Sequence, residues 1–253
     1  MPIGIWLILP TYNEAENIDA IVRAADAALE RAAPADHRIL VVDDNSPDGT
    51  GAIADRLASE LDTVEVLHRP GKAGLGKAYI AGFMHALDCG AAMVIEMDAD
   101  FSHDPSHIAA LLAATADADL VLGSRYVPGG AVVNWGPLRK VISRGGGTYA
   151  RIVLGLGIQD LTGGFKVIRR EVLEAIDLGT LRADGYGFQI EVTYRAVRLG
   201  FRVVEVPITF ADRQVGTSKM SWRIALEAFR LVPDMRGWSP RAPVRACERQ
   251  SLT

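Results

Sequence analysis

In roughly the first 125 residues, short apolar runs alternate with stretches of helical periodicity, and this alternation constrains the fold more than any other feature. The runs are Ile5–Leu9, Ile39–Val42, Val64–Leu67, Met93–Met97 and Leu120–Leu122, and the helical patterns are Glu16–Arg31, Gly51–Glu60, Gly76–Asp88 and Pro105–Ala114. Strands apolar along their whole length are buried on both faces, and the helices between them supply the covers. The pattern therefore predicts an α/β fold with a mostly parallel central sheet and helices on both faces. In such sheets ligands bind outside the carboxyl ends of the strands. The polar clusters fall there: "PTYNE" after the first run, "DDNSPDGT" after the second, "DADFSHD" after the fourth and "GSRY" after the fifth.

The remainder is less regular. "YVPGGAVVNWGP" reads as a loop and Lys140–Leu154 as a helix, while "DLTGGFKVIRREVLEAI" reads as a short strand and then a helix. Gln189–Arg198 has helical periodicity, and Arg202–Phe210 reads as a strand pair interrupted at Pro207. Ser221–Val232 is amphipathic, and the Pro- and Arg-rich stretch after Pro233 carries no pattern. We expect one domain over 1–235, with halves at 1–125 and 126–235, and a disordered tail at 236–253.

The net charge of −4 argues against a general nucleic-acid binder, but the charge is unevenly spread. From Leu120 to Ile158 there are five basic residues (Arg125, Arg139, Lys140, Arg144, Arg151) and no acid. Such segregation suits an anionic partner on one side of the molecule. Two cysteines, Cys89 and Cys247, make no disulfide framework, which fits a reducing compartment. The N-terminal run lacks a basic flank, and no apolar run approaches the ~18 residues of a membrane span. The expectation is a cytoplasmic protein, soluble or peripheral at the membrane.

Asp98 and Asp100 stand one residue apart at the end of a buried strand, on the same side of the chain. Two such carboxylates repel unless a cation compensates them, and Mg2+ or Mn2+ suits oxygen ligands that also meet phosphate. The plainer alternative is a solvated turn before the helix opened by Pro105. "GKAGLGKA", residues 71–78, resembles a phosphate-binding loop but has Ala78 where a metal-binding hydroxyl belongs, so Lys77 marks a competing NTPase reading. In the same stretch Tyr79 stands where a dinucleotide-binding glycine pattern would need its third glycine. Arg125, Arg213 and Lys219 lie beside Gly or Ser in loops, as phosphate-gripping cations do. His103 and His107 read as a helix start rather than a metal pair.

"LPTYNE", "VVDDNSPDGT", "GLGKAYIAG", "MDADFSHDP", "GSRY", "DLTGGF" and "VPITFADRQVGTSKMS" occur in this order. As a set, over roughly residues 5–230, they resemble the dolichyl- or polyprenyl-phosphate mannose synthases of glycosyltransferase family 2. The resemblance implies the GT-A fold and an inverting, divalent-metal-dependent transfer of mannose from GDP-mannose to a polyprenyl phosphate in the membrane. A UDP-glucose-dependent lipid-phosphate glucosyltransferase is the nearest alternative. Pro10, Tyr12, Glu14, Val42 and Asp44 would line the nucleoside pocket, and Asp98, Ala99 and Asp100 would hold the diphosphate through Mg2+ or Mn2+. Ser102 stands where some relatives carry a third metal ligand. Asp100, Arg125, Arg213 and Lys219 would carry the catalysis, and Arg139, Lys140 and Arg144 would face the acceptor phosphate. A separate membrane-anchoring protein remains an open alternative among the partners, and no nucleic acid is implied.

Overall fold

A computed structural model describes residues 4–183, 185–211 and 231–238. A seven-stranded sheet is built from β1 (Ile5–Thr11), β2 (His37–Asp43), β3 (Val64–His68), β4 (Met93–Glu96), β5 (Leu120–Ser124), β7 (Lys166–Arg169) and β8 (Val203–Pro207), in the order β3-β2-β1-β4-β7-β5-β8. Every neighbouring pair is parallel except the two that involve β7, which runs antiparallel to both β4 and β5. The sequence leads to five parallel strands within the first 125 residues. In the structure β5 touches none of the other four and is held by β7 and β8 from the second half.

Two apolar cores cover the faces. Leu7, Leu9, Ile39, Val41 and Ile95 meet α1 (Ile18–Ala32), α2 (Thr50–Glu60) and α4 (Ile108–Ala114) on one side. Trp6, Ile8, Leu40, Val42 and Val94 meet α3 (Leu75–Asp88), α6 (Arg170–Ala175) and α7 (Gly185–Arg198) on the other. The strict alternation along β1 between the two cores follows from the two-residue period of a strand, and it explains why the runs read as continuously apolar.

Two features depart from the sequence reading. The loop expected at "YVPGGAVVNWGP" contains β6 (Ala131–Val133), which pairs in parallel with β9 (Thr209–Ala211) in a second, two-stranded sheet. It is followed by α5 (Pro137–Leu154), and a C-terminal glycine, Gly155 at φ 67°, ends that helix in the left-handed conformation glycine favours. Residues 236–238 also differ from the patternless tail expected of 236–253. Val232 and Met235 are buried against α5 and α7, and the Arg195 guanidinium lies 5.0 Å from the Trp238 ring centre. The rest of the tail, 239–253, lies outside the described residues, as does most of the amphipathic Ser221–Val232 segment.

Candidate active site

The strand order turns back between β1 and β4, where a parallel sheet opens a crevice at its carboxyl edge. Ile8 lies opposite Glu96, so two residues further on Asp98 comes level with Pro10. Pro10 also pairs with Val42 and Thr11 with Asp43, which gathers the "PTYNE", "DDNSPDGT" and "DADFSHD" segments at one edge. Asn13, Asn45 and Phe101, one in each segment, have φ between 56° and 59°. Side chains other than glycine, asparagine and aspartate seldom adopt that conformation, and such strain gathers at ligand loops.

The loops after β1 and β2 are stitched together by side chains. Asp43 accepts from Ser46 N–H at 3.2 Å and from the Ser46 and Thr11 hydroxyls. Asp48 accepts from the Thr50 hydroxyl at 2.6 Å and from the Ala15 amide at 3.0 Å. Burial would raise the Asp48 pKa, but these donors outweigh it and leave the carboxyl below its usual value. Asp44 instead pairs with Arg69, and Lys72 stands 4.1 Å from the centre of the Tyr12 ring. Glu14 accepts from the Asn17 side chain at 3.0 Å, and its own amide donates to Thr50. Pro10, Tyr12, Glu14 and Asp44 thus gather at the carboxyl edge of β1 and β2, whereas the Val42 side chain packs in the core against α3 and only its backbone reaches this edge. Arg69 and Lys72, absent from the sequence-derived set, join them.

Asp98 and Asp100 follow β4 directly. Asp100 is buried and accepts the Ser102 amide at 3.0 Å, while Asp98 accepts the Tyr79 hydroxyl at 3.3 Å. The Asp98 amide donates to His103 Nδ1 at 3.1 Å. That bond requires a bare Nδ1, and burial accordingly pushes the His103 pKa down to about 4. His107 Nε2 accepts the Thr209 amide, so both histidines accept from backbone amides, while Asp104 caps the short helix that follows. Tyr79 is wholly buried; burial and then the charge of Asp98 push its pKa up, so it remains a proton donor.

The residues fit a hard divalent cation. Asp98 and Asp100 stand one residue apart in the turn after β4, and the buried Ser102 Oγ has no hydrogen-bond partner among the described residues. No cluster of three His, Cys, Asp or Glu side chains suited to a metal occurs among the described residues. Behind the aspartates, Glu96 and Lys166 face each other across β4 and β7, 3.8 Å apart and without exposure. Lys166 also donates to the Gln189 carbonyl at 3.0 Å. Burial raises the Glu96 pKa and lowers that of Lys166.

Arg125, expected to grip phosphate, has a carboxylate partner inside the fold. Its Nε and Nη2 each donate to Asp160 at 2.7 Å, its backbone amide donates to the same carboxylate at 2.9 Å, and both residues are buried. Burial disfavours both charges, but the ion pair outweighs it: the Arg125 pKa is raised and that of Asp160 lowered. Two amides, of Gln159 and Asp160, are in turn accepted by Glu205 on β8. The guanidinium carbon also lies 5.2–5.6 Å from the ring centres of Tyr126, Trp135 and Phe210. Its charge is therefore spent within the fold. Asp160, part of "DLTGGF", joins Arg69 and Lys72 as a partner of an expected site residue that the sequence does not single out.

Arg139 stacks on Trp135 at 4.1 Å, Arg144 lies 5.3 Å from Tyr126, and Lys140 is exposed one residue along α5. The three cations thus share the first turns of one helix. Arg213 and Lys219 lie outside the described residues. The phosphate-loop reading of "GKAGLGKA" fails on packing. Lys77 is exposed, and a Cβ on Gly76 would stand 3.0 Å from the Phe188 ring and 3.1 Å from the Ala183 carbonyl, so this glycine lets two helices touch.

A family model, "Glycosyl transferase family 2", matches residues 6–177. The chain is 52% identical over 240 residues to polyprenol monophosphomannose synthase of Mycolicibacterium smegmatis, covering 93% of this chain and 89% of that one. It is also 52% identical over 225 residues to undecaprenyl-phosphate mannosyltransferase of Micrococcus luteus, covering 88% and 90%. Among solved structures, glucosyl-3-phosphoglycerate synthase from Mycobacterium tuberculosis, determined with Mn2+ and UDP-glucose, superposes with a TM-score of 0.67 at 20% identity, covering 94% of this chain and 80% of that one. A mannosyltransferase from Pyrobaculum calidifontis in complex with GDP-Man and Mn2+ gives a TM-score of 0.62 at 18% identity, covering 94% and 66%. Fold, crevice and sequence agree: the chain belongs to glycosyl transferase family 2 and has its GT-A fold.

Proposed function

We propose that the protein transfers mannose from GDP-mannose to a polyprenyl phosphate, inverting the anomeric configuration and releasing GDP. The observation that carries this reading is 52% identity, over about nine-tenths of the chain, to two relatives whose names specify mannose and a polyprenyl acceptor. In this reading the base lies at the edge formed by Pro10, Tyr12, Glu14, Asp44 and the Val42 backbone. Asp98 and Asp100 hold a divalent cation, Mg2+ or Mn2+, with Ser102 Oγ beside them. The cation supplies charge neutralisation to the departing diphosphate. Ala99 adds backbone at the same turn.

A phosphate monoester has a second pKa near ~6, so the acceptor is ionised and nucleophilic at neutral pH. Such an enzyme has no need of a strong general base; its work is orientation and control of charge. Arg139, Lys140 and Arg144, together with Arg213 and Lys219, orient the acceptor and donor phosphates. Arg125 organises this side through Asp160 rather than gripping phosphate itself. No helix among the described residues is long and apolar enough to cross a membrane. Val141, Ile142 and Ile152 are exposed on α5 beside Lys140 and Arg144, which suits a peripheral position against anionic lipid. One domain, 1–235, does this work, with the acceptor entering from the side of α5.

The test is transfer of labelled mannose from GDP-mannose to a short polyprenyl phosphate with Mg2+ or Mn2+, with EDTA, and with the Asp100→Ala variant. Metal-dependent mannolipid formation that Asp100→Ala abolishes is the expected result. Transfer from UDP-glucose and not from GDP-mannose would overturn the choice of sugar.

A further inference from the structure

We propose that Tyr79 is a positioning residue for the metal site, holding the Asp98 carboxylate by a hydrogen bond from the opposite helix layer. The inference rests on the reading of Asp98 and Asp100 as cation ligands and extends it to a residue on α3. Tyr79 belongs to "GLGKAYIAG", a segment that neither a phosphate loop nor a dinucleotide-binding loop explains.

The phenol is fixed before it meets Asp98. Its ring lies parallel to Phe188 of α7, with centres 5.8 Å apart and planes 3° apart, and Phe83 sits 5.8 Å away on the same helix. Gly76, one turn earlier, allows α3 to approach Phe188 closely enough for this stacking. With the ring buried on all sides, the hydroxyl has been withdrawn from water. A buried tyrosine hydroxyl is retained where it has a partner, and here Asp98 Oδ1 accepts it at 3.3 Å.

The chemistry of this donor suits a metal ligand. Asp44 and Asp160 are held by arginines, which cancel the carboxylate charge as they orient it. A phenol orients a carboxylate and leaves its negative charge intact for a cation. Asp100 receives the same kind of support from the Ser102 amide. Both donors, the Tyr79 phenol on α3 and the Ser102 amide in the turn, are neutral. Groups that orient metal ligands in this way commonly alter metal affinity 10–100-fold when removed.

The experiment titrates Mn2+, followed by electron paramagnetic resonance, into protein saturated with GDP, comparing wild type, Tyr79→Phe and Phe83→Leu. Tyr79→Phe keeps the stacked ring and loses only the hydroxyl; it is expected to weaken Mn2+ binding about 10–100-fold. GDP affinity in EDTA should stay unchanged, and kcat should fall while the KM for the lipid acceptor does not move. Phe83→Leu loosens the same cluster without touching the hydroxyl, so it should lower the thermal midpoint and keep wild-type Mn2+ affinity. Mn2+ affinity within twofold of wild type in Tyr79→Phe would overturn the proposal, as would an equal loss in Phe83→Leu. Failure of the wild type itself to bind Mn2+ in the presence of GDP would overturn the metal reading as well, which separates the two failures.

Discussion

Replacing Asp160 by alanine tests the reassignment of Arg125 from phosphate grip to structural anchor. The wild-type carboxylate accepts three hydrogen bonds from Arg125, two from the guanidinium and one from the backbone, at 2.7–2.9 Å with both partners buried. Its removal leaves the guanidinium with the Thr162 hydroxyl at 2.8 Å and three aromatic faces that were already present. Breaking a buried ion pair from one side costs about 3–5 kcal/mol, because the remaining charge stays desolvated. In a domain of this size each kcal/mol moves the unfolding midpoint by about 2–4 °C, so a drop of roughly 10 °C is expected. Arg125→Ala should cost a similar amount. Replacing both residues by alanine should cost far less than the two single changes together, since no orphaned charge remains. Urea unfolding of the four proteins gives the coupling directly. A loss below ~1 kcal/mol in Asp160→Ala, or additivity within ~0.5 kcal/mol, would refute the argument and return Arg125 to the set of available cations.

The same ion pair predicts an acid limb of stability. The folded Asp160 pKa lies below its unfolded value of ~3.9, so its contribution is complete above that value and is lost as pH falls through the folded pKa; unfolding followed from pH 6 to pH 2 should show this decline, flattened in Asp160→Asn. Gly82→Ala should destabilise by about 1–3 kcal/mol while leaving kcat unchanged, because its Cβ would stand 2.5 Å from Ile8 Cγ2 and 3.2 Å from Val42 Cγ2 in the core; urea unfolding and a transfer assay check the two halves of this statement. Lys77→Ala should leave transfer and stability at wild-type levels, and loss of activity would revive the phosphate-loop reading. Lys140→Glu with Arg144→Glu should raise the KM for polyprenyl phosphate and leave that for the donor unmoved, an effect that added salt should shrink.

The nucleotide-side framework was legible because each of its signals is local. Apolar strands, turn formers and the Asp98–Asp100 spacing each sit within a few residues, and the β1–β4 register then brings them together. What failed to show was whatever depends on distant pairing. β6 is three residues long, half-exposed and set in a Gly- and Pro-rich stretch; only its partner β9, 78 residues later, makes it a strand. Asp160 carries no sign in its own sequence that its partner is Arg125, 35 residues earlier. Tyr79 showed only as an interruption of a glycine pattern, because its role depends on α3 and β4 meeting in space. The cations at 213 and 219 rest on their sequence setting and the family resemblance, since both lie outside the described residues.

The antiparallel insertion of β7 has a consequence for how the chain is made. β5 has both its neighbours, β7 and β8, later in the sequence, and β4 has one edge reserved for β7. While the polypeptide emerges from a ribosome, β4 and β5 therefore wait with open edges until residues 166–169 have been synthesised, and β5 waits on one side until 203–207. A fragment ending near residue 125 would hold every residue of the nucleotide wall, yet it would expose an unpaired β4 edge and a detached apolar strand, the two features that favour aggregation. The half proposed to bind the nucleotide is therefore not a unit of folding by itself.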